Sequence, residues 1–284
     1  MLLHSSAGST PVTGIEHSYR YGLVPSPQIL PESLWMHPDA DLRLRLRCSF
    51  ALLFRLALIC ALGYRGGVQR LIEGVHRFHA DEFGKHRELF QRLAAEGQNP
   101  HTLFITCSDS RVLAELITQS QPGDLFVVKN VGNLVPPSEV SGSTNSTAAA
   151  IEFAIEVLEV RDVVVCGHSQ CGAVRALMNG VPYPDRMRHV QRWLSIADSV
   201  RTTVREKYAH VTDPAEQLHI AEEENVLFAL DNLRTYPGVR RRLAEGSLYL
   251  HAWFFKIATG ELFVYNPEPE PGQFVLLQRP QSIS

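Results

Sequence analysis

The sequence predicts an α/β fold: a mostly parallel β-sheet flanked by α-helices, with an N-terminal helical arm. Three observations carry this expectation. Short apolar runs, Leu103 to Thr106, Leu125 to Val128 and Val163 to Cys166, alternate with stretches of helical period, and parallel strands need crossover connections of that kind. The first and third runs each lead into a short polar motif, as strands do where they leave a sheet. Two consecutive amphipathic stretches precede the first run.

In chain order, residues 1 to about 40 are rich in Ser, Pro, Gly and His and lack sustained periodicity, as in a poorly packed extension. The run Cys48 to Gly63 is strongly apolar and follows Arg43, Arg45 and Arg47. It has only 16 residues and contains Arg55, whereas a spanning helix needs about 20 mostly apolar residues, so stable membrane insertion is not expected. From Val68 the sequence VQRLIEGVHRFHADEFGKHRELFQRLAAEG reads as two amphipathic helices broken near Phe83-Gly84. Helical period returns from Val112 to Ser120 and from Ala148 to Val160, with a Pro122-Gly123 turn and a Gly-, Pro- and Ser-rich loop between. Tyr183 to about Glu245 is mainly helical: Trp193, Leu194, Ile196 and Val200 form an apolar face, and Pro184, Pro214 and Pro237 act as breakers. Ser247 to Lys256 and Glu261 to Tyr265, joined by Thr259-Gly260, read as a β-hairpin. The expected organisation is an extension over 1–67, a folded domain over 68–265 and a tail over 266–284.

Composition narrows the function. With 27 basic and 30 acidic side chains, a net charge of -3 gives no footprint for nucleic acid. Five cysteines, Cys48, Cys60, Cys107, Cys166 and Cys171, are an odd number in a chain long enough to fold without staples, so a reducing cytoplasmic setting is expected. Cys107 and Cys171 stand in short polar motifs, where metal ligation or catalysis is the leading reading.

Those motifs are Cys107-Ser108-Asp109-Ser110-Arg111 and His168-Ser169-Gln170-Cys171-Gly172. Both follow buried strands, and ligands of open α/β sheets bind outside the carboxyl ends of the strands, so the two can converge if their strands are neighbours. Thiolate, imidazole and carboxylate are zinc ligands, and sulfur with nitrogen favours zinc over magnesium or calcium. Cys107, Asp109, His168 and Cys171 can close a tetrahedral shell. Alternatively Arg111 holds Asp109 in a bidentate fork, leaving a fourth position for water whose pKa zinc brings to about 7. Taken singly, each residue also fits a packed cysteine, a core histidine or a structural ion pair; jointly they point to a metal. His76, His79 and His86 read as a solvated helix face, and Glu222 to Glu224 as a charged helix turn.

CSDSR and GHSQCGA together resemble the β-class carbonic anhydrases, in a plant-like or cyanobacterial-like subtype, with similarity from about Val68 to Tyr265. The resemblance implies a zinc enzyme interconverting carbon dioxide and bicarbonate, assembled as a homodimer or higher homo-oligomer with its sites at dimer interfaces. It implies Cys107, His168 and Cys171 as permanent zinc ligands and Asp109 with Arg111 as the catalytic dyad that gates the fourth position. Gly172, Gln98, Phe126 and Val131 correspond to substrate-binding positions. Phe104 and Lys129 stand where an allosteric subtype has Trp and Arg, so its inhibitory bicarbonate pocket is not expected, and Phe153 replaces a Tyr found in plant-like members. Some members begin with Met at the position of Val68, which implies that Val68 is the natural start and that 1–67 is a gene-model artefact. Two other readings keep the same site: hydrolysis of carbonyl sulfide or carbon disulfide, and a non-catalytic zinc protein in which Asp109 closes the shell.

Overall fold

The computed structural model describes residues 67–139, 144–268 and 270–278, so the apolar run 48–63 and the expected extension up to residue 66 lie outside the described residues. The chain forms two compact units, Met1–Arg77 and Phe78–Ser284. The described part of the first is essentially one helix, α1 (Val68–Arg77), with Val68, Leu71, Ile72 and Val75 at helical spacing and no buried residue.

The second unit opens with a π-helical turn (Phe78–Glu82), a 3-10 turn (Phe83–His86) and α2 (Arg87–Glu96). The break expected at Phe83-Gly84 is present. Changing the helical pitch there keeps the rings of Phe78, Phe83 and Phe90 together, at centroid distances of 5.7–6.2 Å. Then follow β1 (Thr102–Cys107), α3 (Ala114–Thr118), β2 (Leu125–Asn130), α4 (Ser146–Glu156), β3 (Asp162–His168) and α5 (Gly172–Asn179). A helical region comprises α6 (Arg188–Leu194), a 3-10 turn, α7 (Asp198–Lys207), α8 (Pro214–Leu233) and α9 (Pro237–Ala244). The strands β4 (Tyr249–Lys256), β5 (Glu261–Asn266) and β6 (Gln273–Leu276) complete the unit.

The sheet order is β2-β1-β3-β4-β5-β6. The first four strands are parallel, and β5 and β6 add antiparallel at one edge. Chain connections leave β1 toward β2 on one side and β3 lies on its other side, which makes the carboxyl end of the β1–β3 pair the switch point of the sheet. Both faces of these central strands are covered, which explains their continuous apolar runs. Leu103, Ile105, Val163 and Val165 pack on Ile151, Ala154, Val226, Ala229 and Leu233, while Phe104, Val164 and Cys166 form a second cluster with Trp253.

Three expected boundaries shift for local reasons. The helix expected over Val112 to Ser120 shrinks to α3 because Val112 is fully buried and Leu113 stays extended. The next helix starts earlier, at Ser146, where the Asn145 side chain caps the N–H groups of Thr147 and Ala148; it ends before Glu159 turns left-handed and Val160 enters the core. The expected tail contains β6, held by pairing with β5 and by Phe274 packing on Tyr265 at 5.4 Å and Phe254 at 6.1 Å.

Helix α8 packs against β3 and β4, and at Gly167 an added Cβ would meet Val226 Cγ2. Gly167→Ala is therefore expected to destabilise the chain by about 1–3 kcal/mol. Thermal unfolding should show this as a melting temperature lowered by roughly 2–4 °C per kcal/mol.

Candidate metal centre

The two motifs meet because β1 and β3 are hydrogen-bonded neighbours, with Thr106 opposite Cys166. Cys107 ends β1 and His168 ends β3. Gln170 then takes a left-handed φ of 58°, which turns the chain so that Cys171 can cap α5. As a result the ligand atoms of Cys107, His168 and Cys171 all lie within 4.8 Å of one another, and the two sulfurs are 4.0 Å apart. All three residues are buried.

Their protonation chemistry fits a metal. His168 Nδ1 sits 3.0 Å from the Ser169 carbonyl, which can only accept, so Nδ1 carries the proton and Nε2 presents its lone pair. Nε2 is buried without a hydrogen-bond partner, a costly arrangement that a metal ion would relieve. The thiols shift in opposite directions. Cys107 is lowered, chiefly by its hydrogen bond with Cys171 and against the effect of burial, with help from His168 and the backbone N–H groups of Asp109 and Gly132. Cys171 is raised by that same hydrogen bond and by burial. Such a pair releases one proton readily and keeps the other until a cation balances it.

Asp109 stands outside this three-donor group, and Arg111 engages both of its oxygens. Arg111 Nε donates to Oδ1 at 2.9 Å and Nη2 to Oδ2 at 2.8 Å, while the Arg111 backbone N–H adds a third bond to Oδ1 at 2.9 Å. This fork holds the Asp109 carboxyl well below the usual carboxylate range. Oδ2 still faces the donor group, 4.0 Å from His168 Nε2. Arg111 Nη2 also reaches the Gln170 carbonyl at 3.4 Å. Lys129 Nζ staples the turn from below, donating to the carbonyls of Val112 at 2.6 Å and Asp109 at 3.3 Å. Phe104, by contrast, is buried core, 5.8 Å from the ring of Trp253.

The other sequence-nominated residues divide. Gly172 opens α5, so its N–H belongs to the first turn that a helix leaves without an internal partner. Val131 is exposed just past β2, beside the Ser108 N–H that donates to the Asn130 carbonyl at 2.8 Å. Gln98 and Phe126 are elsewhere. Gln98 is exposed in the loop before β1, at the opposite end of that strand from Cys107. Phe126 pairs with Leu103 while Cys107 pairs with Asn130, which puts Phe126 about 13 Å back along the sheet. It packs on Phe153 at 6.0 Å. His76 and His79 are exposed and His86 is half-buried, none of them in a metal-competent group among the described residues.

Sequence reading overlooked three residues that shape the centre. Glu222, taken as part of a charged helix turn, is only 3% exposed, and its Oε1 accepts the Cys171 backbone N–H at 2.7 Å. Burial pushes its carboxyl up to about 7, against the pull of that N–H. Asn225 Nδ2 donates to the Gly132 carbonyl at 2.9 Å. Gly132 has φ +85°, and a Cβ there would meet Ala173 Cβ at 3.0 Å. A glycine just after an apolar run was the available sign for Gly132; nothing in the run Glu222-Glu223-Glu224-Asn225 marks which side chains turn inward.

A protein-family model described as carbonic anhydrase matches residues 102–262. Among known proteins, the carbonic anhydrase of Synechocystis sp. is 42% identical over 199 residues, covering 70% of this chain and 71% of the relative. That of Pseudomonas aeruginosa is 41% identical over 192 residues, covering 68% and 84%. Among solved structures, the β-carbonic anhydrase CcaA superposes with a TM-score of 0.69 at 40% identity, covering 75% of this chain and 92% of that one. The tetrameric β-carbonic anhydrases of Sordaria macrospora give 0.62 at 29% identity, covering 72% and 98%. The parallel sheet, the Cys–His–Cys cluster at its switch point and these matches lead to one conclusion: the chain belongs to the β-carbonic anhydrase family of enzymes.

Proposed function

We propose that Cys107, His168 and Cys171 hold zinc and that the chain catalyses the reversible hydration of carbon dioxide to bicarbonate and a proton. The observation that carries this reading is the convergence of two thiols and one unpartnered imidazole nitrogen beside a carboxylate held off by Arg111. Two sulfurs and a nitrogen suit zinc better than a hard cation. When bound, zinc acidifies water so that a nucleophile is available near neutral pH.

The residues around it have separate tasks. Asp109 orients the attacking water by accepting its hydrogen bond; held so far below the usual carboxylate range, it is too weak a base to keep the proton. Arg111 fixes that carboxylate and keeps it off the metal. The Gly172 N–H offers a donor to a bicarbonate oxygen, and Val131 gives the pocket an apolar wall for carbon dioxide. A permanently closed structural site has no use for this dyad. Among the described residues no helix is long and apolar enough to cross a membrane. Stopped-flow carbon dioxide hydration by the zinc-loaded protein tests the reading: a rate no greater than that of buffer would defeat it. Carbonyl sulfide and carbon disulfide in the same assay would then show whether those are the substrates instead.

Gln98 and Phe126 lie at the wrong end of the strands to reach a substrate in their own chain. We therefore place them in the site of a second copy, which makes the active form a homodimer or a larger homo-oligomer. Co-assembly tests the idea. Cys107→Ala and Gln98→Ala homo-oligomers should both be impaired, whereas mixed oligomers should regain about half of wild-type activity per site pair, because one site of each pair is intact. If Gln98 served its own chain, mixing would restore nothing.

A further inference from the structure

One face of α8 touches the backbone beside each of the three thiol and imidazole donors. Glu222 accepts the N–H of Cys171 at 2.7 Å. Asn225 donates to the carbonyl of Gly132, two residues past Asn130, the strand partner of Cys107. Val226 packs against Gly167, the neighbour of His168. These positions are i, i+3 and i+4, so a single helical turn presents them together. Of the three contacts, that of Glu222 bears most directly on a ligand. The Cys171 N–H lies in an irregular turn, between a left-handed Gln170 and the start of α5, where no strand or helix supplies an acceptor.

We propose that Glu222 is a positioning residue: its carboxylate holds the Cys171 backbone N–H and thereby fixes the direction in which the Cys171 sulfur enters the metal site. This rests on the zinc reading above. The bond from the Cys171 N–H to the buried Glu222 oxygen is short, at 2.7 Å, and it spans 51 residues, so it ties the metal loop to a helix that is itself locked into the core. Without it, the Cys171 peptide can rotate and the sulfur loses its preset direction. Residues that orient a metal ligand in this way typically contribute 10–100-fold to metal affinity.

Four full-length proteins, wild type, Glu222→Ala, Glu222→Gln and Glu222→Asp, would be titrated with zinc against a chromophoric chelator. Their cobalt-substituted forms would be compared by absorption, and their metal-free forms by thermal unfolding. Glu222→Ala is expected to bind zinc 10–100-fold more weakly and to alter the thiolate-to-cobalt bands. Glu222→Gln keeps an oxygen at the same reach and should recover most of the affinity. Glu222→Asp keeps the charge but is shorter by one carbon–carbon bond, and should fall near Glu222→Ala. Wild-type affinity in Glu222→Ala, or an Asp variant binding as tightly as wild type while the Gln variant fails, would overturn the proposal. If Glu222→Ala does not fold, the order of the Gln and Asp variants still decides. A wild-type chain that takes up no zinc would instead defeat the metal reading itself.

Discussion

Cys107→Ala is expected to emerge from purification with less than about a tenth of the wild-type zinc content and with carbon dioxide hydration no faster than buffer. The substitution leaves one sulfur and one nitrogen where three donors converged, and it also removes the partner whose hydrogen bond links the two thiols. His168→Ala should do the same by deleting the buried nitrogen that has no other partner. Neither change should unfold the metal-free chain. The main core cluster, built on Leu103, Ile105, Val163, Val165 and Val226, contains none of the three donors. Elemental analysis alongside the melting temperature of the metal-free protein separates the two effects, and a Cys107→Ala protein that kept one zinc per chain would refute the ligand assignment.

Asp109→Asn is the second large effect, and it should split metal binding from turnover. The amide is nearly isosteric but cannot receive the Arg111 fork on both atoms, since one of them is now a donor. Zinc content should remain at the wild-type level while kcat/KM falls by about 100-fold or more, the scale expected when a preorganised hydrogen-bonding group at the reacting atom is removed. Arg111→Met should reach a similar loss by the opposite route, freeing Asp109 to take the fourth donor position, which the cobalt spectrum of that variant would reveal. The pH dependence has a definite sign. Because Arg111 lowers Asp109, the ion pair is complete at every pH above the ordinary carboxylate range and is lost only as pH falls through the depressed folded value. Activity lost on the acid side nearer neutrality is therefore assigned to other groups, and its midpoint should not move in variants that leave Asp109 and Arg111 in place.

Phe126 and Gln98 show how a motif match is silent about geometry. Both were nominated beside Cys107, yet in one chain they sit toward the opposite end of the strands, and only the strand register discloses it. The β6 strand was hidden for another reason: it follows the Pro- and Glu-rich stretch at 267–271, and its four residues acquire a strand's stability only by pairing with β5.

A candidate centre was legible in the chain itself. A thiol, a carboxylate and a guanidinium at alternate positions after one apolar run, with an imidazole and a thiol three apart after another, mark a candidate donor set, of which the fold brings Cys107, His168 and Cys171 together. Periodicity likewise determined the class of fold, because alternating strands and helices admit few arrangements. What the tertiary structure decided was adjacency: that β1 and β3 are neighbours, that the Arg111 fork closes on Asp109, and that Glu222 turns inward to Cys171 while its neighbours Glu223 and Glu224 do not join that contact. The physical reason is the same in each case. These are contacts between segments tens of residues apart, chosen by which faces of the sheet and of α8 are buried, and burial is a property of the packed chain that no local run of residues contains.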